Sequence, residues 1–308
     1  MQLPSLFTVV VIGGLVSSAI PGFAEGILQS VKAMERDLGM TITQPGALYR
    51  GSRPTQPSSD IYVGGPVAIS PDGNAVAWWL RRFPYPSTSE RSPFVTIERV
   101  NEGRQPVFVE GKVAVGELGI SAGAAVIVAF ALPLNLVSTS KWELLAIDRR
   151  SGAVHDLTQM VTAFEVGNNV EDVSVSGPGN LAALGTREQI QVLQIPGGET
   201  AYASPGRFPR LSPDGKRLAF VNKDKLWVHS FVDGTTKQLM KGKRVKGVGG
   251  WSPDGRFLLA GAWTTLLALT KRQIIVDTVT GEHASIGKLG EGDYGSHFAW
   301  VSVKLLTR

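Results

Sequence analysis

The segment GISAG at residues 119–123 places Ser121 in the Gly-x-Ser-x-Gly pattern that holds the nucleophile of many hydrolases. Such a serine needs an acid and a histidine later in the chain, and Asp277 and His297 could supply them. The pattern also requires a helix after the serine, whereas Ser121 is soon followed by the β-branched run VIV. A short pattern of this kind recurs by chance in a chain with 36 glycines. We therefore interpret Ser121 as a turn residue and predict no catalytic residue.

The histidines and the most regular aspartates do not have the spacing of a metal site. The histidines stand singly, at His155, His229, His283 and His297. No two of them have the i, i+4 spacing that places two zinc ligands on one helix face. The chain has no cysteine, which excludes thiolate ligands and cysteine nucleophiles. The regular aspartates, Asp72, Asp214 and Asp254, are typical of residues that cap their own turn. We predict no metal and no cofactor.

Positive charge is concentrated in one segment of the chain. Residues 207–246 contain eleven Lys and Arg and three Asp, whereas the whole chain carries a formal net charge of +5. Such a density of cations raises the local potential and attracts an acidic partner, phosphate groups or a lipid surface. The alternative is a solvated surface that only aids solubility. The choice depends on where the fold places these side chains.

A repeated turn motif predicts the elements that carry these residues. Ser-Pro-Asp-Gly occurs in VAISPDGNAVA (67–77), RLSPDGKRLAFV (210–221) and GWSPDGRFLLAG (250–261), each time between short apolar runs. Pro and Asp suit the central positions of a type I turn, and Gly accepts a positive φ after it, as in three-residue β-hairpins. Weaker copies lie at 118–129 and 173–184, and a strand without the turn lies at 298–306. The motif serines are Ser70, Ser121, Ser176, Ser212, Ser252 and Ser302.

A second hairpin signature lies between successive motifs. Its glycines are Gly103, Gly152, Gly198, Gly234 and Gly281. Two hairpins in every interval give four antiparallel strands, which is the composition of a propeller blade. We therefore predict an all-β fold, a β-propeller over residues 61–308. We expect six blades, the last joining the strand at 298–306 to strands from residues 40–66. Five blades are the alternative.

The Ser-Pro-Asp-Gly hairpins resemble the WD-repeat-like blades of TolB-type β-propellers. The resemblance covers residues 61–306 and is carried by three clear motifs and three weak ones. It implies the fold, and it implies little about function because the motif is a turn and not a site. TolB proteins also carry a separate α/β domain, for which residues 25–60 are too few.

The strand order of a propeller predicts where the basic residues lie. The two hairpin signatures belong to one face, and the remaining connections belong to the opposite face. Eight cationic residues fall in or near those remaining connections, and we name them the basic rim: Arg207, Arg210, Lys223, Lys225, Lys241, Lys243, Arg244 and Lys246. We expect them to cluster and to form the binding surface.

The N-terminal residues predict export. The first charged side chain is Glu25, and the apolar run before it ends in small residues, as in a signal peptide covering residues 1–24. A membrane anchor and a buried strand are the alternatives. Residues 25–60 are expected to form a short amphipathic helix followed by a loop. The uncharged stretch at 118–140 contains Pro133 and Asn135, so we expect strands there and not a transmembrane helix.

These inferences predict an exported, non-enzymatic propeller that acts as a protein-binding or scaffold module of the cell envelope, in the periplasm or outside the cell. The expected partner is another envelope protein or an anionic surface. Nucleic-acid binding suits the sequence pI of 9.4 but conflicts with export. The alternative function is a propeller enzyme, of hydrolase or lactonase type, with its site at the central channel.

Overall fold

The structure is a computed structural model. It describes residues 21–43, 61–83, 93–134, 141–161, 170–240, 244–263, 271–288, 299–302 and 304.

Four-stranded antiparallel sheets make up most of the described chain. Blade 1 contains β2 (Ile61–Ile69), β3 (Ala75–Phe83), β4 (Val95–Arg99) and β5 (Gly103–Val107). Blade 2 contains β6 (Lys112–Ile120), β7 (Val126–Pro133), β8 (Glu143–Asp148) and β9 (Val154–Asp156). Blade 3 contains β10 (Asp172–Val175), β11 (Leu181–Gly185), β12 (Gln189–Gln194) and β13 (Thr200–Pro205). Blade 4 contains β14 (Arg207–Leu211), β15 (Arg217–Asn222), β16 (Lys225–Ser230) and β17 (Thr236–Gln238). Blade 5 contains β18 (Arg244–Trp251), β19 (Phe257–Trp263), β20 (Lys271–Asp277) and β21 (His283–Lys288).

The strands of each blade pair in sequence order, and the first strand of each blade contacts the first strand of the next. The fold is therefore the predicted all-β propeller. The two predicted hairpins of each blade lie at one end of its strands, which we name the turn face. The opposite end, where the first strand begins, is the rim face.

The prediction of six blades is wrong, because the described residues form five four-stranded blades. The remaining strands, β1 (Met40–Thr43) and β22 (Ala299–Ser302), pair with each other in a two-stranded sheet that we name the clasp. Strand β22 contacts both β18 and β2, so the clasp lies between blade 5 and blade 1. Residues 61–66, which the six-blade prediction assigned to the last blade, instead belong to β2, the first strand of blade 1.

The buried motif serine explains why the same hairpin recurs. The Oγ atom of Ser252 accepts a hydrogen bond from the Phe257 amide at 2.8 Å, and the Gly255 amide donates to the Ser252 carbonyl at 2.8 Å. Ser70, Ser176 and Ser212 accept equivalent bonds from the amide five residues later. Each serine therefore satisfies a backbone donor inside the core.

The clasp is held to blade 1 through the first motif turn. Gly73 has a φ of +67°, and a Cβ atom at this position would lie 2.8 Å from the Trp300 carbonyl oxygen. The Ser302 amide donates to the Gly73 carbonyl at 2.9 Å. Trp300 is only 2% exposed and packs with Met40 and with blade 5. A side chain at Gly73 would therefore push the clasp away from the ring.

The N-terminal helix, α1, spans Pro21–Leu38. Its Ile27 is buried in a cluster with Met40 and with apolar residues of β20 and β21, so α1 covers the outer strand of blade 5. The predicted signal peptide overlaps the described chain only at residues 21–24, and the predicted loop after β1 lies outside it.

The apolar stretch at 118–140 forms strands as far as Pro133, in agreement with the sequence prediction. Residues 135–140 lie outside the described residues. In the part of the chain that the structure describes, no helix has the length and apolar character needed to span a bilayer.

Candidate functional site

Six of the eight predicted basic-rim residues lie in the described chain. Arg207 and Arg244 begin β14 and β18, Lys223 lies in the turn between β15 and β16, and Lys225 begins β16. These positions belong to the rim face of blades 4 and 5, as the strand order predicted. Lys246 follows on β18. Lys241 and Lys243 lie outside the described residues.

Asp224 brings three of these cations together. Its carboxylate lies 3.2 Å from a guanidinium nitrogen of Arg207 and 2.9 Å from one of Arg244. The Lys246 ammonium lies 3.0 Å from both carboxylate oxygens. Partial burial tends to raise the pKa of Asp224, but hydrogen bonds from Lys246 and Arg244 outweigh it and lower the pKa. Asp224 is therefore an ionised centre that orders cations from both blades.

The turn that carries Asp224 is strained. Lys223 and Asp224 have φ angles of +49° and +59°, so two consecutive non-glycine residues adopt the left-handed conformation. This combination is typical of the type I′ turn that suits a two-residue hairpin. The Asp224 carbonyl also accepts a hydrogen bond from the Val245 amide at 2.8 Å, which joins blade 4 to blade 5. The strain is therefore compensated by contacts between the blades.

The cations of the rim outnumber the carboxylates that pair with them. Lys223 is exposed and Lys225 is half-buried, and neither forms an ion pair with another described residue. On the rim face of blades 4 and 5, Asp224 is the one carboxylate among the described residues. The surface therefore keeps an excess of positive charge.

Arg210 does not join the other rim residues. It lies inside β14, its side chain is 17% exposed, and it pairs with Asp172 on the first strand of blade 3. Its backbone carbonyl accepts a hydrogen bond from the Trp251 indole at 2.9 Å. Arg210 therefore connects the first strands of three neighbouring blades.

Two cations of the same face were missed by the sequence reasoning. Lys271 and Arg272 begin β20, at the rim end of blade 5. The Lys271 ammonium lies 5.5 Å from the centre of a Trp263 ring, within the range of a cation–π contact. They follow the dense basic segment by more than twenty positions, so only the strand register could have placed them on this face.

The rim face of blades 2 and 3 has the opposite character. Among the described residues of this surface, carboxylates outnumber cations. The carboxylates are Glu110, Glu143, Asp156, Glu171, Asp172 and Glu188, and the cations are Lys112, Lys141 and Arg187. Several of these charges neutralise one another, as in the Lys112–Glu143 and Arg187–Glu171 pairs. On these four blades the rim face is therefore divided into an acidic half on blades 2 and 3 and a basic half on blades 4 and 5.

Glu117, on the first strand of blade 2, lies in an environment that favours its protonated form. Burial is the main cause that raises its pKa from 4.5 to about 7, and the charge of Asp172 adds to the effect. Arg210 opposes the rise, and Glu171 contributes to it weakly. Glu117 and Asp172 lie on neighbouring first strands, each four residues before its motif serine. A carboxyl group with such a pKa can exchange a proton near neutral pH.

Ser121 is a structural residue in this fold. Its side chain accepts a hydrogen bond from the Val126 amide at 2.8 Å, as Ser70, Ser176, Ser212 and Ser252 do in their own turns. Of the two residues that a serine hydrolase triad would have needed, Asp277 pairs with Arg256 at 2.9 Å, and His297 lies outside the described residues. The interpretation of Ser121 as a turn residue agrees with these contacts.

Of the described histidines, His229 lies among aromatic side chains of blades 3 and 4. His229 is buried, stacks on Tyr202 with ring centres 4.0 Å apart, and bonds Thr236 through Nδ1. Burial lowers the pKa of His229, and the charge of Asp233 opposes the shift. Within the described ranges, no group of three or more His, Asp or Glu residues is placed to hold a metal ion.

Comparisons with known proteins concern the fold. No protein-family model matches the sequence, and the comparison with curated proteins finds no match either. Among solved structures, TolB from Acinetobacter baumannii is 15% identical to this chain and aligns with a TM-score of 0.49. The alignment covers 92% of this chain and 74% of the TolB chain. A TolB-type protein from Agrobacterium tumefaciens is also 15% identical, with a TM-score of 0.48. That alignment covers 81% of this chain and 88% of the Agrobacterium protein. The TolB resemblance predicted from the repeat is thus found among the structural neighbours.

Enzymes also have similar propellers. An acylaminoacyl peptidase from Pyrococcus horikoshii is 13% identical, with 73% of this chain and 39% of that chain covered and a TM-score of 0.48. At these identities and TM-scores the function does not transfer, and the strand order itself establishes the propeller.

Proposed function

We propose that this protein is an exported, non-enzymatic propeller that binds an anionic partner of the cell envelope, in the periplasm or at the cell surface. The observation that supports it is the basic half of the rim face, where cations of two blades converge on one carboxylate. Fields of neighbouring cations add at this spacing, so an anionic partner is steered to the surface and held in a salt-sensitive way.

Charge reversal at the rim tests this function. The double variant Lys223→Glu/Lys225→Glu changes two cations that have no ion pair with another described residue, so the fold should be unaffected. A matched control, Arg150→Glu/Lys216→Glu, makes the same change of net charge in exposed turns of the turn face.

The assay is a pull-down from envelope extract with the mature chain, followed by titration of the captured partner across a salt series. We expect wild type and the control to capture the same partner, and the rim variant to lose it. Equal capture by all three proteins, with a flat salt response, would show that the rim is only a solvated surface.

One observation favours a second function, that of a propeller enzyme. Glu117 and Asp172 lie on neighbouring first strands, and burial together with the charge of Asp172 raises the pKa of Glu117 to about 7, as is found for catalytic proton donors. In this function Glu117 is the proton donor, and Asp172, which pairs with Arg210, is the second carboxylate. A panel of ester, lactone and peptide substrates tests it, because Glu117→Gln should abolish any turnover. Turnover that survives this substitution would place the activity elsewhere.

A further inference from the structure

The division of the rim face into an acidic half and a basic half limits the shape of any anionic partner. The basic half comprises Arg207, Lys223, Lys225, Arg244 and Lys246, together with Lys271 and Arg272 at the start of β20. The acidic half lies on the same face of blades 2 and 3, and it includes the exposed Glu188 in the turn before β12. A partner that covered the whole face would meet both signs of charge.

A flat anionic membrane fits this arrangement poorly. A bilayer surface laid on the rim face comes within about one Debye length, roughly 8 Å at physiological salt, of both halves. Attraction to blades 4 and 5 is then offset by repulsion from the exposed carboxylates Glu110 and Asp156 on blade 2 and Glu188 on blade 3. A short acidic segment can contact the basic half alone and avoids this repulsion.

The cationic side chains are held in fixed positions, and this also favours a discrete ligand. Arg207 and Lys246 are 35% and 19% exposed, and their contacts with Asp224 fix the positions of their head groups. Fixed guanidinium groups can form paired hydrogen bonds with a carboxylate, and they lose less entropy on binding than free side chains do. The exposed Lys223 and the half-buried Lys225, on either side of Asp224 in the chain, then widen the basic surface.

We propose that the partner is a protein that binds through an acidic segment, rich in Glu and Asp, laid over the rim face of blades 4 and 5 and not over the whole face. This inference rests on the proposed function and names the partner's chemistry. It predicts that binding depends on the basic half and is nearly independent of the acidic half.

The test compares two probes on the full mature chain. One probe is a fluorescent Glu-rich peptide, followed by anisotropy, with a Gln-rich peptide of the same length as its control. The other is a vesicle of phosphatidylglycerol and phosphatidylcholine, followed by co-sedimentation. The proteins are wild type, Lys223→Glu/Lys225→Glu, the turn-face control Arg150→Glu/Lys216→Glu, and Glu188→Lys.

We expect the Glu-rich peptide to bind wild type and to lose affinity by at least about tenfold in the rim variant, because each reversal replaces an attraction by a repulsion. The turn-face control should bind as wild type does, and Glu188→Lys should change the affinity by less than about threefold. Binding to vesicles should be weaker than binding to the peptide.

Three results would overturn the inference. If vesicles bind, the peptide does not, and Glu188→Lys strengthens vesicle binding, the partner is a membrane surface and only the proposed anion-binding function stands. If the turn-face control weakens peptide binding as much as the rim variant does, the effect is one of net charge, and the basic half is not a docking surface. Absence of binding to both probes would contradict the proposed function as well.

Discussion

The ionisation of Glu117, in blade 2, should make the free energy of unfolding depend on pH, and Glu117→Gln should remove this dependence. The folded protein raises the pKa of Glu117 from 4.5 to about 7, chiefly because the group is buried and secondly because Asp172 is close. The folded state therefore holds this proton more tightly than the unfolded state does. Stability from this source is complete below pH 4.5 and is lost as the pH rises to about 7.

The size of the effect follows from the shift. One pKa unit corresponds to about 1.4 kcal/mol, so the ionised Glu117 side chain destabilises the folded protein by about 3 kcal/mol, reduced towards about 2 kcal/mol by solvent screening. The charged groups that set the shift are Asp172 and Glu171 at the start of blade 3 and Arg210 in blade 4. Gln is nearly isosteric and carries no charge. At pH 8 the variant should therefore be the more stable protein, and near pH 4 the two should be similar.

The measurement is urea unfolding followed by tryptophan fluorescence, at intervals from pH 4 to pH 8. The chain contains 7 Trp residues, which give the signal. Other carboxylates also titrate in this range, so the informative quantity is the difference between wild type and variant at each pH. Glu188→Gln removes an exposed carboxylate from the same face and controls for the loss of one negative charge. Parallel curves for wild type and Glu117→Gln across the whole range would refute the argument.

Three further predictions concern the fold and its processing. Ser252→Ala should cost about 1–3 kcal/mol of unfolding free energy, because the buried Phe257 amide loses its acceptor; a urea midpoint equal to that of wild type would contradict this role. Trp300→Ala should cost about 3–5 kcal/mol, because the clasp loses its largest buried side chain, and a loss below about 1 kcal/mol would show that the clasp contributes little. Mature protein from the envelope fraction should begin near Glu25 on N-terminal sequencing, whereas an intact Met1 in a membrane pellet would indicate an anchor.

The hairpin motif was sufficient to predict the blades but not their number. Its residues determine local backbone geometry, so the turns at Ser70, Ser212 and Ser252 could be predicted with their type. A motif serine marks the first strand of a sheet, however, and not a complete blade. Ser302 ends β22, whose described strand partner is β1 alone. Six motif serines therefore predicted six blades, whereas the sixth serine lies in the clasp and the described residues form five complete blades.

The face on which the basic rim lies could be predicted from the strand order, but the ion pairs of its cations with Asp224 could not. The sequence places Arg207, Arg244 and Lys246 at the starts of first strands, which settles the face. Their common contact with Asp224 depends on a left-handed turn without glycine, and such turns carry no distinctive residue pattern. The shift at Glu117 depends on neighbours that lie more than fifty positions away in the chain. Contacts of this kind arise only after the blades stack.

The pairing of β1 with β22 in the clasp is the slowest contact of the ring to form. Hairpins within a blade join nearby residues and form in microseconds, whereas Met40 pairs with Ser302 across almost the whole described chain. A free chain would lose considerable loop entropy in bringing these strands together. Stacked blades already hold the two ends near each other, so pairing of β1 with β22 follows assembly and does not direct it. Until then the faces of blades 5 and 1 that pack on the clasp remain accessible to other chains, and this interval is when the protein is most exposed to aggregation.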